Sequence, residues 1–515
     1  MVQKTTQNNV TKTISVMMVL VLLAKASGLL RNMMFMYLLG TESTEAAAFT
    51  FASLLPRTFM DAAFAAAISA GFIPIFSKFL QKRSREEAFD LARSFITFVG
   101  LVTLTISIVG FFAVSIISGI YFGQDADYQL LSTSAELLRI MIFTMFFTSL
   151  AFALTGLSQS LGGFYIPSIM SLVSNGLILG YMWLFFESGG VLGLSIAFVL
   201  GNILQVLIFW LPLRKRGFRF RPNFNFKSEG LRQILHLIPM VMISSWLLPI
   251  AAMINGAIAA NRNSAYFVEF EFANVIFIVL TGVFILSVTN VMLPKLSTEA
   301  VQDDGGKNFK NTLQAGISGS VFILLPMAVG IFILRTPIVR LLYERGEFTP
   351  EATEQVAYAL GILTLGIVGY GLVSILTRAF FAVENGKTPM IVTLFALIIN
   401  FVVALIFIEF LAIGAVALAL MAALNFAGIT LYIIAARKFN IFNKKTALNF
   451  GKMIVVAAIM FGVLWLVQPM ISTLIDILEI GIITILGALL YFALAWLLGI
   501  EEIKAARSLI SRRKG

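Results

Sequence analysis

Lys25, Arg31 and Arg57 stand in stretches of chain that are otherwise apolar, where a charge is expensive. Inserting three such cations against lipid would cost roughly 8–10 kcal/mol, and facing a water-filled cavity or a partner avoids that cost. Asp61 lies one turn after Arg57, so a buried Arg57–Asp61 structural pair is one reading of that site. Lys25 and Arg31 have no acid nearby in their own segment. At about 100° per helical residue, Ser27 shares a face with Arg31, while Lys25 lies about 120° away and lines up with Asn32. Gly28 between them allows a close approach by a neighbour or a ligand. A wall of this kind suits an anionic ligand, and guanidinium in particular suits phosphate oxygens.

Further candidates lie downstream. Glu269 and Glu271, in the run Glu269-Phe270-Glu271-Phe272-Ala273-Asn274, are two residues apart and point to different sides of a helix. They read as cation or proton sites, as partners for the arginines, or as an interfacial cap. Asn274 joins the candidate binding set, and Arg378 and Lys387 join the glutamates as candidates for ion coupling or gating. Arg378 also reads as a topological anchor, and Arg139 and Lys452 as side chains that snorkel to the headgroups. His236 is expected to be a hydrogen-bonded structural residue. The segment from Arg335 to Arg345 reads as an amphipathic helix lying in the outer interface.

Composition narrows the chemistry. Of 515 residues 59% are hydrophobic and only 12% charged, against about 25% charged in a typical soluble domain. That excludes a soluble enzyme and a disordered chain. With no cysteine and one histidine, thiol nucleophiles, thiolate metal sites and imidazole clusters are excluded as well. No Gly-x-x-x-x-Gly-Lys-Ser/Thr segment occurs, so ATP hydrolysis is not expected. No cofactor is expected. Drive would come from a coupling cation or the membrane potential, where one charge crossing 100 mV supplies about 2.3 kcal/mol.

The elements that must position these residues are helices, the only open-chain solution in lipid. Fourteen spans are predicted, at 13–39, 46–76, 94–122, 136–160, 164–187, 190–213, 232–259, 264–293, 312–335, 353–382, 388–409, 412–436, 449–471 and 476–499. No small-residue cleavage site ends the first run, so a cleaved signal peptide is not expected. With an even count, 27 Lys and Arg fall in the loops and termini of one side and four in those of the other. The positive-inside rule then places both termini in the cytoplasm and accounts for the net charge of +11 as topology, with no nucleic-acid partner.

The chain also repeats. Ile73-Pro74 and Leu293-Pro294 end the second and eighth spans, Pro167 and Pro389 open the fifth and eleventh, and Gly193–Asn202 is similar to Gly414–Asn425. Six helices per copy make the copies parallel, related by a pseudo-twofold along the membrane normal. The expectation is an all-α polytopic membrane protein: lobes at 1–225 and 226–440, then two extra helices and a basic cytoplasmic tail at 441–515. Two such lobes are a transporter architecture, with alternating access by rocking.

Several motifs resemble one family. Leu342-Tyr343-Glu344-Arg345-Gly346-Glu347-Phe348-Thr349, Arg378-Ala379-Phe380-Phe381-Ala382 and Lys387-Thr388-Pro389 look like the MurJ (MviN) lipid II flippases of the multidrug/oligosaccharidyl-lipid/polysaccharide exporter superfamily. Lys25-Ala26-Ser27-Gly28-Leu29-Leu30-Arg31-Asn32 is similar to the family's Arg-x-x-Gly-x-x-Arg-Asp, and Ala70-Gly71-Phe72-Ile73-Pro74 to its Ala-Phe-Val-Pro. The resemblance implies a cationic cavity lined by the first, second, seventh and eighth helices, which receives the pyrophosphate and sugars of lipid II. It also implies a groove for the polyprenyl tail on the last two helices. Two positions depart from the pattern: Asp61 stands where the family has a second-helix arginine, and Val275 where it has an eighth-helix arginine.

The expected function is therefore translocation of lipid II across a bacterial plasma membrane. Membrane lipids, and cell-wall synthesis proteins as candidates, complete the expected partners. Two alternatives stay open: a flippase for another polyprenyl-diphosphate-linked glycan, and a membrane enzyme acting on lipid-linked sugars. A cationic-drug exporter would want carboxylates where this chain has cations. An enzyme would want a catalytic carboxylate cluster on a long loop, and no hydrophilic loop here exceeds about 25 residues.

Overall fold

The computed structural model describes residues 2–123, 125–300, 306–441 and 444–503, and among them there is helix and no strand. Among the described residues eleven helices are long and apolar enough to cross a membrane, and a twelfth span forms if one bent pair is taken together. The expected count of fourteen is compatible with this. The remaining two apolar runs are the second, which carries Arg57 and Asp61, and the seventh, which is interrupted at Trp246.

The chain divides into two compact units, Met1–Pro249 and Ile250–Gly515. In the first, α1 (Val2–Leu39) packs on α7 (Tyr165–Leu184), which packs on α8 (Phe186–Leu207). The second run, α2 (Thr44–Ala67), continues through a π-helical turn at Ile68–Phe72 into α3 (Ile73–Lys82). It packs against α5 (Tyr128–Met141) and α6 (Thr144–Ser160). Against α3 and α6 lies α4 (Arg85–Phe122), started by Ser84, whose hydroxyl accepts from the Glu87 N–H and donates to the Glu87 carboxylate. Short α9 (Trp210–Lys215) follows α8. The unit also contains α10 (Glu229–Ser245), the start of the second lobe by the sequence boundaries, which packs on α2, α3 and α4. Stacked Phe72, Phe76 and Phe95 centre its core, with ring centroids 4.7–5.4 Å apart.

The second unit takes in most of α11 (Leu247–Arg262) and all of α12 (Ser264–Glu299), α13 (Lys307–Tyr343), α14 (Pro350–Thr364) and α15 (Ile367–Ala382). Its last four helices are α16 (Lys387–Leu411), α17 (Ile413–Lys438), α18 (Lys444–Ile471) and α19 (Asp476–Leu497). The tenth span is α14 and α15, bent by 50°. The final pair, α18 and α19, docks on α13, where Phe322 meets Tyr491 with centroids 5.3 Å apart.

One expectation is corrected. Arg335 to Tyr343 is not a separate interfacial helix but the last part of α13, which continues through Pro326 and Pro337. Arg335 Nη1 donates back to the Phe332 carbonyl of the same helix at 2.6 Å. His236, expected to be a hydrogen-bonded structural residue, is exposed on α10.

The repeat is visible in the backbone. Gly162, Gly190 and Gly217 turn the chain with φ of 76°, 53° and 83°, and Glu384, Ala412 and Asn440 do so with 54°, 48° and 51°. The displacement is nearly constant along the chain, as a duplicated unit requires. The sixth and twelfth spans also carry matching amides. Asn202 accepts from the Thr148 hydroxyl at 2.8 Å, just past the break between α5 and α6. Asn425 donates to the Leu365 carbonyl at 3.0 Å, within the break between α14 and α15.

Candidate functional site

Arg31 sits on α1 at the seam with α7. Its Nη1 donates to Asn175 Oδ1 at 3.2 Å, and its Nε and Nη2 donate to Asn32 Oδ1 at 3.3 and 3.0 Å. Asn175 in turn donates from Nδ2 to Ser27 Oγ at 3.0 Å, and Ser27 donates to the Ala24 carbonyl at 2.8 Å. Ser27 and Arg31 thus share a face and converge on one amide. Both amide oxygens accept from the guanidinium and so orient it. The Phe198 ring of α8 lies 5.8 Å from the guanidinium carbon, a cation–π distance. Behind it Phe49 links Phe198 to Phe35, with centroids 6.0 and 5.1 Å apart, so packed aromatics fix the ring.

Gly28 explains how the seam closes. A Cβ there would stand 3.4 Å from Asn175 Nδ2, so a larger side chain would push the amide away from Ser27 and Arg31.

Of the other predicted residues, Lys25 is exposed on α1 and Arg57 is half-buried on α2. The side chain of Asp61 lies outside the described ones, so the Arg57–Asp61 pair does too. In the second unit Glu269, Glu271 and Asn274 are all buried on the first part of α12, at 3–4% exposure. That helix starts at the Asn263 side chain, which accepts from the Ala265 N–H at 2.9 Å, and neither glutamate takes part in that cap. Arg378 is partly buried on α15, and Lys387 is exposed at the first residue of α16. Among the described residues no cluster of three or more acids and histidines could hold a metal ion.

Asn175 and Phe198 are the residues that sequence reasoning missed. An amide inside the apolar run of α7 was the available signal for the first. Phe198 carries no such signal among 48 phenylalanines.

The motifs that carry the family resemblance do structural work. Thr349 caps α14 by accepting from the Ala352 N–H at 3.2 Å, with Pro350 in the first turn. Glu344 accepts from the Thr353 hydroxyl at 2.6 Å, and buried Tyr343 lies between the rings of Phe272 and Phe348. Thr388 donates from both its N–H and its hydroxyl to Asn385 Oδ1, starting α16 ahead of Pro389.

Comparison with known proteins agrees with this architecture. The family model described as lipid II flippase MurJ matches residues 35–483. A probable lipid II flippase MurJ of Rhizobium meliloti is 27% identical, over 94% of this chain and 93% of its own length. A solved lipid II flippase MurJ in an inward closed conformation superposes with a TM-score of 0.79 at 22% identity, covering 95% of this chain and 99% of that one. An inward-facing MATE-family multidrug transporter of the MOP superfamily gives 0.67 at 16% identity, covering 82% and 94%. The helical plan, the backbone repeat and the match over most of the chain make this a multi-pass protein of the bacterial inner membrane, and it belongs to the MurJ family of lipid II flippases.

Proposed function

We propose that this chain moves lipid II, an undecaprenyl-diphosphate-linked glycopeptide, from the inner to the outer leaflet by alternating access. It acts as a secondary-type transporter with both termini in the cytoplasm. The observation that carries the reading is Arg31, a guanidinium inside a membrane-spanning helix, aimed by Asn32 and Asn175. A diphosphate presents oxygens in the geometry that a guanidinium fork matches, and a lysine binds it as a point charge. In this role Arg31 and Lys25 bind the diphosphate, Ser27, Asn32 and Asn274 offer hydrogen bonds to it or to the sugars, and Arg57 with Asp61 completes the polar wall. Buried Glu269 and Glu271, with Arg378 and Lys387, are the groups proposed to couple transport to an ion or to the membrane potential. Moving one charge through 100 mV yields about 2.3 kcal/mol, so a few charges per cycle are enough to bias the direction.

The test is depletion of the protein in living cells followed by an assay of which lipid-linked precursor accumulates inside. Lipid II is expected to accumulate, wild type to restore its export, and Arg31→Ala to fail at normal protein abundance. Full complementation by Arg31→Ala would remove the anion site. Accumulation of a different lipid-linked glycan would move the substrate to that glycan.

A further inference from the structure

Away from the residues above, the first unit carries a cleft of about 440 Å³, within the roughly 300–1,000 Å³ usual for small-ligand sites. Its floor is apolar, formed by Ile96 of α4, Leu150 and Leu154 of α6, and Phe209 and Leu213 near α9. Its rim is cationic, formed by Arg214 on α9 and by Arg219 and Arg221 on the segment that follows.

The rim is held by a strapped backbone. Arg85 Nη2 donates to the Arg216 carbonyl at 2.6 Å, Arg93 Nε to the Arg219 carbonyl at 3.1 Å, and the Asn223 N–H to Thr97 Oγ1 at 3.1 Å. Phe218 plugs the strap into the core against Phe89, with centroids 5.5 Å apart. The neighbouring acids are already engaged: Glu86 and Asp90 pair with Arg93 at 2.7 and 2.8 Å, and Glu229 pairs with Arg83 at 2.7 Å. Arg214, Arg219 and Arg221 are exposed, and among the described residues none of them is in an ion pair.

We infer that this cleft seats an anionic diacyl phospholipid, with one acyl chain on the apolar floor and the phosphate on the three arginines. A free phosphate would leave the floor uncovered, and a zwitterionic headgroup would bring its own cation against the rim. The mouth opens beside Leu207, Trp210 and Leu211, which are 56–67% exposed, as a lipid-facing surface is. An indole in that position marks headgroup depth. The bound lipid would tie α9 and its strap to α4 and α6. On the topology proposed above the leaflet is the cytoplasmic one, but the binding does not depend on what the protein transports.

The test uses the full chain, stripped of lipid in detergent and titrated separately with phosphatidylglycerol, phosphatidylcholine and inorganic phosphate, with bound species counted by native mass spectrometry. Wild type is expected to hold one phosphatidylglycerol about tenfold more tightly than phosphatidylcholine, and millimolar phosphate should not displace it. The triple variant R214Q/R219Q/R221Q, altered only at exposed positions, should lose that preference with an unchanged melting temperature. Leu154→Trp, which fills the floor, should weaken both lipids. Retention of the preference by the triple variant, equal binding of the two lipids by wild type, or displacement by phosphate would each overturn the assignment.

Discussion

Arg31 Nη1 donates to Asn175 Oδ1 at 3.2 Å, joining α1 to α7 across 144 residues of chain. The same amide donates to Ser27, so one asparagine fixes both the charged group and a hydroxyl on the opposite helix. Both side chains that aim the guanidinium here are amides, whose oxygens accept its hydrogen bonds.

Asn175→Leu removes the aim but not the charge. A hydrogen bond to a charged group contributes about 1.5–3 kcal/mol, so transport should fall about 10- to 100-fold. Protein abundance should be unchanged, because leucine suits this buried position. Arg31→Lys, which keeps the charge without the fork, should retain part of the activity lost in Arg31→Ala. Wild-type transport by Asn175→Leu, measured by complementation and lipid II export, would deny the amide any positioning role.

Gly190 and Ala412 turn the chain at equivalent points of the repeat, with φ of 53° and 48°. A residue with a side chain held in such a positive-φ, extended-ψ conformation costs about 1–3 kcal/mol. Ala412→Gly should therefore raise the apparent melting temperature in detergent, and Gly190→Ala should lower it. A Cβ at Gly190 meets nothing within 4 Å, so any loss there comes from the backbone alone.

Gly428 of α17 packs most closely against backbone. A Cβ there would stand 2.7 Å from the Gly369 carbonyl oxygen and 3.0 Å from its Cα. Backbone cannot rotate aside, so Gly428→Ala should push α15 from α17 and destabilise by about 1–3 kcal/mol or more. Gly451→Ala, with nothing within 4 Å, should be neutral or stabilising by about 0.5–1 kcal/mol. Equal melting temperatures for the two variants would show that the α15–α17 seam is looser than this.

The absence of native cysteine makes topology directly measurable. Lys227→Cys should react with an impermeant maleimide only after the inner membrane is opened, and Asn263→Cys should react in intact spheroplasts. The reverse pattern would invert the proposed orientation.

The spans, the repeat and the family were legible in the sequence because they rest on local or periodic signals: runs of apolar residues, charged loops, and prolines recurring at one offset. The face shared by Ser27 and Arg31 was equally legible, since helical geometry sets it within a single turn. The error came where a local signal had two outcomes. The segment from Arg335 to Tyr343 has the charge pattern of an interfacial helix, but α13 continues through it, past Pro337, to Tyr343. The run Tyr343-Glu344-Arg345-Gly346-Glu347-Phe348-Thr349 pointed rightly to the family, but only the fold shows that its contacts are a helix cap and a packed aromatic cluster.

The primary structure alone determined that cations stand within the first two apolar runs, where their cost in lipid follows from composition and depth. The tertiary fold alone decided which groups hold them. Asn175 meets Arg31 only because α7 packs on α1, and Phe198 joins them only because α8 packs on α7. Hydrogen bonds and ring contacts act over a few ångströms, and only packing brings residues so distant along the chain within that range.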